Sequence, residues 1–148
     1  MNDKVESAQR AADAVAGKKA RILLAEDNLF NQQVALGALD SSRYTVDMVD
    51  DGNAVLGALE RTHYDLILMD CMMPGLDGYQ TTRLIRSSKA LGAMSAIPIV
   101  ALTANGSKEA RQRCSEAGMN NFIAKPIDFE LLVATVEKWL AAPRPVGG

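Results

Sequence analysis

The stretch Asp65-Leu-Ile-Leu-Met69-Asp70 carries the topology of the chain. Four apolar residues without alternation, ending on an acid, read as a central strand of a parallel sheet, covered on both faces. Two other stretches share that form. Arg21-Ile-Leu-Leu-Ala25 runs into Glu26-Asp27, and Asn121-Phe-Ile-Ala124 runs into Lys125-Pro126. In a parallel sheet with right-handed crossovers the carboxyl ends of all strands lie on one edge, where ligands bind. Three distant pieces therefore predict one cluster: the carboxylates of Glu26, Asp27 and Asp70 with the ammonium of Lys125.

Outward from that strand, the chain alternates strand and helix five times. Ile22 to Ala25 is followed by a helix from about Asn28 to Asp40, with Val34, Ala35, Ala38 and Leu39 on one face. Thr45 to Val49 is shorter and less apolar, as suits an edge. Asp51-Gly52-Asn53 turns into a helix carrying Val55, Leu56 and Leu59. After Leu66 to Met69, a loop with Pro74 and Gly75 leads to a helix from about Gly78 to Ser88. Ile97 to Leu102 is the next strand, with Pro98 tolerated near its start. A helix from about Ser107 to Ala117 stops at Gly118. Phe122 to Ala124 is the fifth strand, and Asp128 caps a last helix whose apolar face is Phe129, Leu132, Val133, Val136 and Leu140. This alternation predicts a doubly wound α/β sandwich.

The 148 residues suit one domain that buries roughly two-thirds of its unfolded surface. We expect it over residues 20–141, between a linker or frayed helix at 1–19 and a tail at 142–148 that Pro143 and Pro145 keep from continuing the last helix. Lys plus Arg number 16 against 18 Asp plus Glu, which calls for neither nucleic acid nor anionic lipid. With 48% apolar residues but only 5% aromatic, the core must be mostly Leu, Ile, Val, Ala and Met. Cys71 and Cys114 form no spaced metal pattern and read as free thiols of a reducing cytoplasm, Cys71 as a small filler beside Asp70. No apolar run approaches the roughly 18 residues of a membrane span, and the start, with Asp3 and Glu6, has no signal-like block. A cytoplasmic chain without membrane contact is expected.

Glu26 and Asp27 are adjacent and cannot both point into a packed core; at a strand end both can face a crevice. Beside Asp70 their like charges call for a cation. Carboxylates from two strands, with oxygen ligands only, suit Mg²⁺, which keeps several waters and leaves positions for phosphate oxygens. Lys125 supplies a point charge and Thr103 a hydroxyl at the same edge. A carboxylate, a cation, an ammonium and a hydroxyl at one point describe phosphorylation of an aspartate. There is no Ser-His-Asp arrangement, no GxxxxGK[ST] loop and no GxGxxG. His63, the single histidine, reads as a loop residue before a strand, and Asp77 as a turn acid or helix cap. Met72 and Met73 follow Asp70 in an exposed loop and either shield it from water or pack the loop.

Glu26-Asp27-Asn28, Met69-Asp-Cys-Met-Met-Pro-Gly-Leu-Asp-Gly78, Ala101-Leu-Thr-Ala104 and Lys125-Pro126 together resemble the receiver domain of two-component signalling, over residues 21–141. Asn28-Leu-Phe-Asn-Gln32, the Cys71 neighbourhood and Ala117-Gly-Met119 look most like receivers of hybrid histidine kinases. The resemblance implies a flavodoxin-like (βα)5 sandwich with strand order 2-1-3-4-5. It implies that Asp70 is the phosphoacceptor, that Asp27, Asp70 and the Met72 carbonyl bind Mg²⁺ directly, and that Glu26 acts through water. Thr103 and Lys125 would hold phosphoryl oxygens, Thr103 and Phe122 would switch on phosphorylation, and the Lys125-Pro126 bond would be cis. Glu26 stands where Asp is commoner, and Phe122 has no hydroxyl to hydrogen-bond as it moves.

The implied function takes a phosphoryl group from a phosphohistidine of a histidine kinase or phosphotransfer domain and passes on the change in conformation. No enzymatic activity beyond self-catalysed phosphorylation and dephosphorylation is expected. Two alternatives are an aspartyl-phosphate phosphohydrolase and a receiver-like module that binds unphosphorylated. The first is opposed by Met72 at the position where such hydrolases carry a second acid. The second is opposed by the completeness of the site. A stand-alone receiver and one cut from a longer hybrid kinase both fit. Of Leu29, Phe30 and Leu36, Leu36 lies off the inner face of the first helix and reads as exposed, and the resemblance makes Leu29 and Leu36 candidates for docking the donor. Leu131 and Trp139 mark a face of the last helix that either supports a dimer or carries scattered apolar residues.

Overall fold

Side chains of a strand point alternately to its two faces, and here both faces are apolar. In the computed structural model, which describes residues 19–142, the chain runs β1 (Ala20–Ala25), α1 (Leu29–Ala38), β2 (Tyr44–Val49), α2 (Gly52–Arg61) and β3 (Leu66–Asp70). It continues through α3 (Gly78–Ser87), a 3-10 helix (Gly92–Ala96), β4 (Ile99–Thr103), α4 (Lys108–Ala117), β5 (Asn121–Ala124) and α5 (Phe129–Ala141). The strands form one parallel sheet in the order β2-β1-β3-β4-β5. The expected linker and tail lie outside the described residues, apart from Lys19 and Ala142.

Ile22, Leu24, Leu66, Leu68, Val100, Leu102 and Ile123 point to one face, where Ala35 of α1, Leu39 just past its end, and Leu132 and Val136 of α5 cover them. Leu23, Ala25, Ile67, Met69, Ile99 and Ala101 point to the other, under Val55 and Leu59 of α2, Ile85 of α3 and Cys114 of α4. Each large side chain so buried contributes about 1.5–3 kcal/mol. This two-sided burial explains why the β3 sequence shows no alternation. Every α-helix among the described residues starts on a side chain that accepts a backbone N–H: Asn28, Asp51, Asp77, Ser107 and Asp128. Such a cap stabilises by about 1 kcal/mol. At Asp77 it is a full capping box with Gln80.

Several side chains depart from the sequence reading. Phe129, expected on the inner face of α5, is 49% exposed. It occupies the first position after the cap, and its ring lies across Gly37 of α1, where a Cβ would stand 3.4 Å from Cζ. Leu36, expected exposed, is half-buried at the margin of the α1 stripe. Met73, expected in an exposed loop, is buried in the core against α2 and α3, while Met72 is exposed as expected. Trp139, on the face left open between a dimer contact and scattered apolar residues, is partly buried against the α1–α5 core. The 3-10 helix had no sequence reading, since its five residues are too few to show a period.

Candidate functional site

Glu26 and Asp27 follow β1, Asp70 ends β3, Thr103 ends β4 and Lys125 follows β5, so the carboxyl edge of the sheet gathers them. The Lys125 Nζ lies 2.9 Å from Glu26 Oε1 and 3.2 Å from Asp70 Oδ2, bridging the two acids. Asp70 Oδ1 accepts from the Met72 N–H at 3.0 Å, and Glu26 Oε2 from the Asn28 N–H at 3.1 Å. Gln32 of α1 donates to the Glu26 carbonyl. Glu26, expected to face the crevice, is fully buried beneath it, while Asp27 is exposed at its rim. The three acids each offer an oxygen within 4.8 Å of the others.

Burial, and then a hydrogen bond shared with Glu26, raise the Asp70 carboxyl to about 6. Burial pushes Glu26 the same way, but the bonds from Asp70, Lys125 and the Asn28 N–H together hold it below the usual carboxylate range. Lys125 is raised: burial opposes its charge, and the two carboxylates outweigh that opposition. One ammonium thus serves two acids, with a third beside them. The donors are all oxygen, crowded and short of positive charge, which fits a hard divalent cation that retains waters.

Thr103 reaches the edge, but its hydroxyl donates to the Asn105 carbonyl at 3.0 Å and accepts from the Asn105 N–H at 3.2 Å. It is engaged with its own loop, not with Asp70. Phe122 is half-buried on β5, with the Arg111 guanidinium 5.6 Å from its ring centroid. The Lys125-Pro126 bond is cis. His63 lies outside the cluster, its Nε2 3.6 Å from an Asp65 oxygen. Asp77 caps α3 and is no part of the cluster.

Two positions escaped the sequence reading. A Cβ at Gly78 would fall 2.3 Å from the Asp70 carbonyl oxygen and 2.9 Å from the Cys71 Cα. Only glycine lets α3 start this close to the end of β3. Arg86 of α3 donates to the carbonyls of Ser95, Ile97 and Gly118 and to Asn120 Oδ1, all at 2.8–2.9 Å. It fastens α3 to the segments that enter β4 and β5. The Gly-Leu-Asp-Gly78 turn hinted at the first; nothing local marked the second.

The response regulator receiver domain family matches residues 22–137. The chain is 41% identical over 121 residues to hybrid signal transduction histidine kinase K of Dictyostelium discoideum, across 79% of this chain and 10% of that protein. It is 34% identical over 125 residues to the sensor protein GacS of Pseudomonas syringae pv. syringae, across 84% of this chain and 14% of that protein. The chain thus spans a small part of the length of these relatives. Among solved structures, it is similar to the receiver domain of sensor histidine kinase PA1611 from Pseudomonas aeruginosa, which has a magnesium ion coordinated in its active-site cleft. That similarity has a TM-score of 0.75 and 42% identity, over 84% of this chain and 99% of that one. A signal receiver domain of a histidine kinase from Syntrophus aciditrophicus matches with a TM-score of 0.73 and 29% identity, over 82% and 90%. With its five parallel strands in the order 2-1-3-4-5 and its acids on one edge, the chain belongs to the response regulator receiver domain family.

Proposed function

We propose that the chain accepts a phosphoryl group on Asp70 from a phosphohistidine, in a Mg²⁺-dependent reaction. The observation that carries this is the Lys125 bridge between Glu26 and Asp70, with Asp27 within reach of the same cation. Asp27, Asp70 and the Met72 carbonyl would hold Mg²⁺ directly and Glu26 through water. When bound, the cation neutralises charge on the phosphoryl oxygens and orients them. The magnesium in the similar Pseudomonas aeruginosa receiver supports this choice of ion.

An Asp70 oxygen forms the new O–P bond as the N–P bond of phosphohistidine breaks, and the imidazole leaves with the electron pair. Asp70 must act as carboxylate, so Lys125 has two tasks. It keeps Asp70 ionised, and its ammonium takes up charge on an equatorial phosphoryl oxygen. Thr103 would trade its Asn105 carbonyl for a phosphoryl oxygen, and Phe122 would follow it inward. That movement is the signal passed to a partner. The Met72 N–H already held by Asp70 keeps the carboxylate in one orientation.

The donor would be a histidine kinase or histidine phosphotransfer domain. Leu29 and Phe30, 70% and 72% exposed at the start of α1 beside the site, would meet it, with Leu36 at the margin. No helix among the described residues is long and apolar enough to cross a membrane. We place the reaction in the cytoplasm, where the free thiols of Cys71 and Cys114 are at home. The chain would have no activity beyond its own phosphorylation and dephosphorylation, and would bind no nucleic acid.

Intact mass after incubation with acetyl phosphate tests the proposal. One phosphoryl group is expected with Mg²⁺, and none without Mg²⁺ or in Asp70→Asn. Labelling that survives both controls contradicts it.

A further inference from the structure

Helix α4 meets the sheet through little apolar surface, since its inner stripe is Ala110, Cys114 and Ala117, all small. Arg111 and Arg113 stand about 200° apart around the helix, on opposite flanks of that stripe. The Arg111 guanidinium lies 5.6 Å from the ring centroid of Phe122 on β5, and that of Arg113 lies 4.1 Å from the ring centroid of Tyr79 on α3. Both arginines are exposed, and among the described residues neither makes a hydrogen bond or an ion pair; the rings are their partners. The two rings differ. Tyr79 is buried, one residue past the Gly78 that packs on the Asp70 carbonyl. Phe122 is only half-buried. It pairs with Ala101 of β4, so its ring lies on the face that α4 covers, two residues short of Thr103 on that same face. A cation over a ring is attracted by the ring quadrupole, and a phenylalanine offers no other polar handle.

We propose that Arg111 is a positioning residue for the response to phosphorylation: its guanidinium holds the Phe122 ring outward and sets how far the rest state lies from the phosphorylated one. This rests on the reading of Thr103 and Phe122 as the parts that move. When Thr103 turns to the phosphoryl group, the Phe122 ring follows it and leaves the guanidinium. The contact therefore favours the outward state alone, and only such a difference between states shifts an equilibrium. For an exposed contact of this kind the shift is about two- to fivefold. While the inward state is the minor one, a ligand that requires it binds more weakly by the same factor. Arg113 shares the chemistry but not the role. Its ring is fixed in the core, so it fastens α4 in both states.

The test titrates the full chain with beryllofluoride at saturating Mg²⁺ and reads the bound fluorine by NMR. Arg111→Gln should bind beryllofluoride about two- to fivefold more tightly than the wild type. In a Phe122→Leu background the same substitution should change nothing, and Arg113→Gln should leave the affinity of the wild type unchanged. With the three phenylalanine rings isotope-labelled, Arg111→Gln without beryllofluoride should move the Phe122 resonances toward their positions in the bound wild type, and leave those of Phe30 and Phe129 in place. An unchanged or weaker affinity in Arg111→Gln, an equal gain in Arg113→Gln, or a gain that persists without the Phe122 ring would overturn the proposal. A wild type that binds no beryllofluoride would overturn the phosphoacceptor reading and this proposal with it, an outcome distinct from binding that Arg111→Gln leaves unaltered.

Discussion

Two partly buried cations, Lys125 and Arg86, hold opposite edges of the same sheet by different chemistry. Lys125, at the carboxyl edge, is shared between the acids Glu26 and Asp70. Arg86, at the amino edge, meets three carbonyls and an amide oxygen, and no carboxylate among its hydrogen-bond partners. Burial lowers the Arg86 pKa to about 10, so it stays charged at neutral pH. A guanidinium fork satisfied by neutral, fixed acceptors is a fastener. An ammonium divided between two acids is a centre whose bonds can be redistributed when phosphate or metal arrives. The difference teaches how to tell a structural cation from a working one: by what it pairs with.

The largest expected effect breaks the fastener. Arg86→Ala leaves part-buried carbonyls without these donors and should cost roughly 2–4 kcal/mol in urea denaturation, with Arg86→Lys recovering little because one ammonium cannot reach the same four acceptors. The rise in Tm on adding Mg²⁺ should survive. Its loss would show that the two edges are coupled and end the contrast.

Next comes the working cation. Lys125→Ala should slow phosphorylation by acetyl phosphate about 100-fold, equivalent to about 2.7 kcal/mol. It should bind Mg²⁺ no more weakly than the wild type, because the ammonium competes with the metal for the same acids. An unchanged phosphorylation rate would make Lys125 a second fastener.

A smaller effect reads the cost of the crowded acids. The Asp70 carboxyl is raised to about 6 against an ordinary value near 3.8, so the native state holds its proton more tightly than the unfolded chain. Metal-free stability therefore falls as pH rises from about 4 to 6, and the full cost stands above that window. Asp70→Asn should exceed the metal-free wild type by roughly 1–3 kcal/mol at pH 7.5, with the gain fading toward pH 4. Equal stabilities at both pH values would show that crowding the acids costs the native state nothing.

The smallest effect on stability concerns Phe30. Being 72% exposed, it can be replaced by Ala within about 0.5 kcal/mol. Transfer from a phosphohistidine protein should nevertheless slow several-fold, while labelling by acetyl phosphate stays unchanged. Equal loss with both donors would place Phe30 in the chemistry instead of at a docking surface.

The contrast between the cations also shows what could be read from the sequence. Glu26, Asp27 and Asp70 were legible because they follow apolar runs that two-sided burial demands, and Lys125 because it follows the short run of the edge strand β5; the topology of parallel strands then joins their ends. The caps at Asp77 and Asp128 were legible because local backbone donors require them. Arg86 was not, since its partners are mostly backbone carbonyls and any residue can supply those. Burial of Glu26 depends on packing between distant elements, and the bonds of Thr103 to Asn105 depend on how the loop after β4 folds. Leu36 and Phe129 failed for a simpler reason: helical period gives a face, but position near a helix end or at the margin of a stripe sets the burial.

The most direct measurement locates the phosphoryl group by chemistry. Phosphorylated protein is reduced with borohydride, which converts an acyl phosphate to an alcohol, and the peptides are sequenced by mass. The account expects homoserine at position 70 alone. Reduction at Asp27 or Glu26, or no reduced residue in protein that carries the added mass, would contradict it.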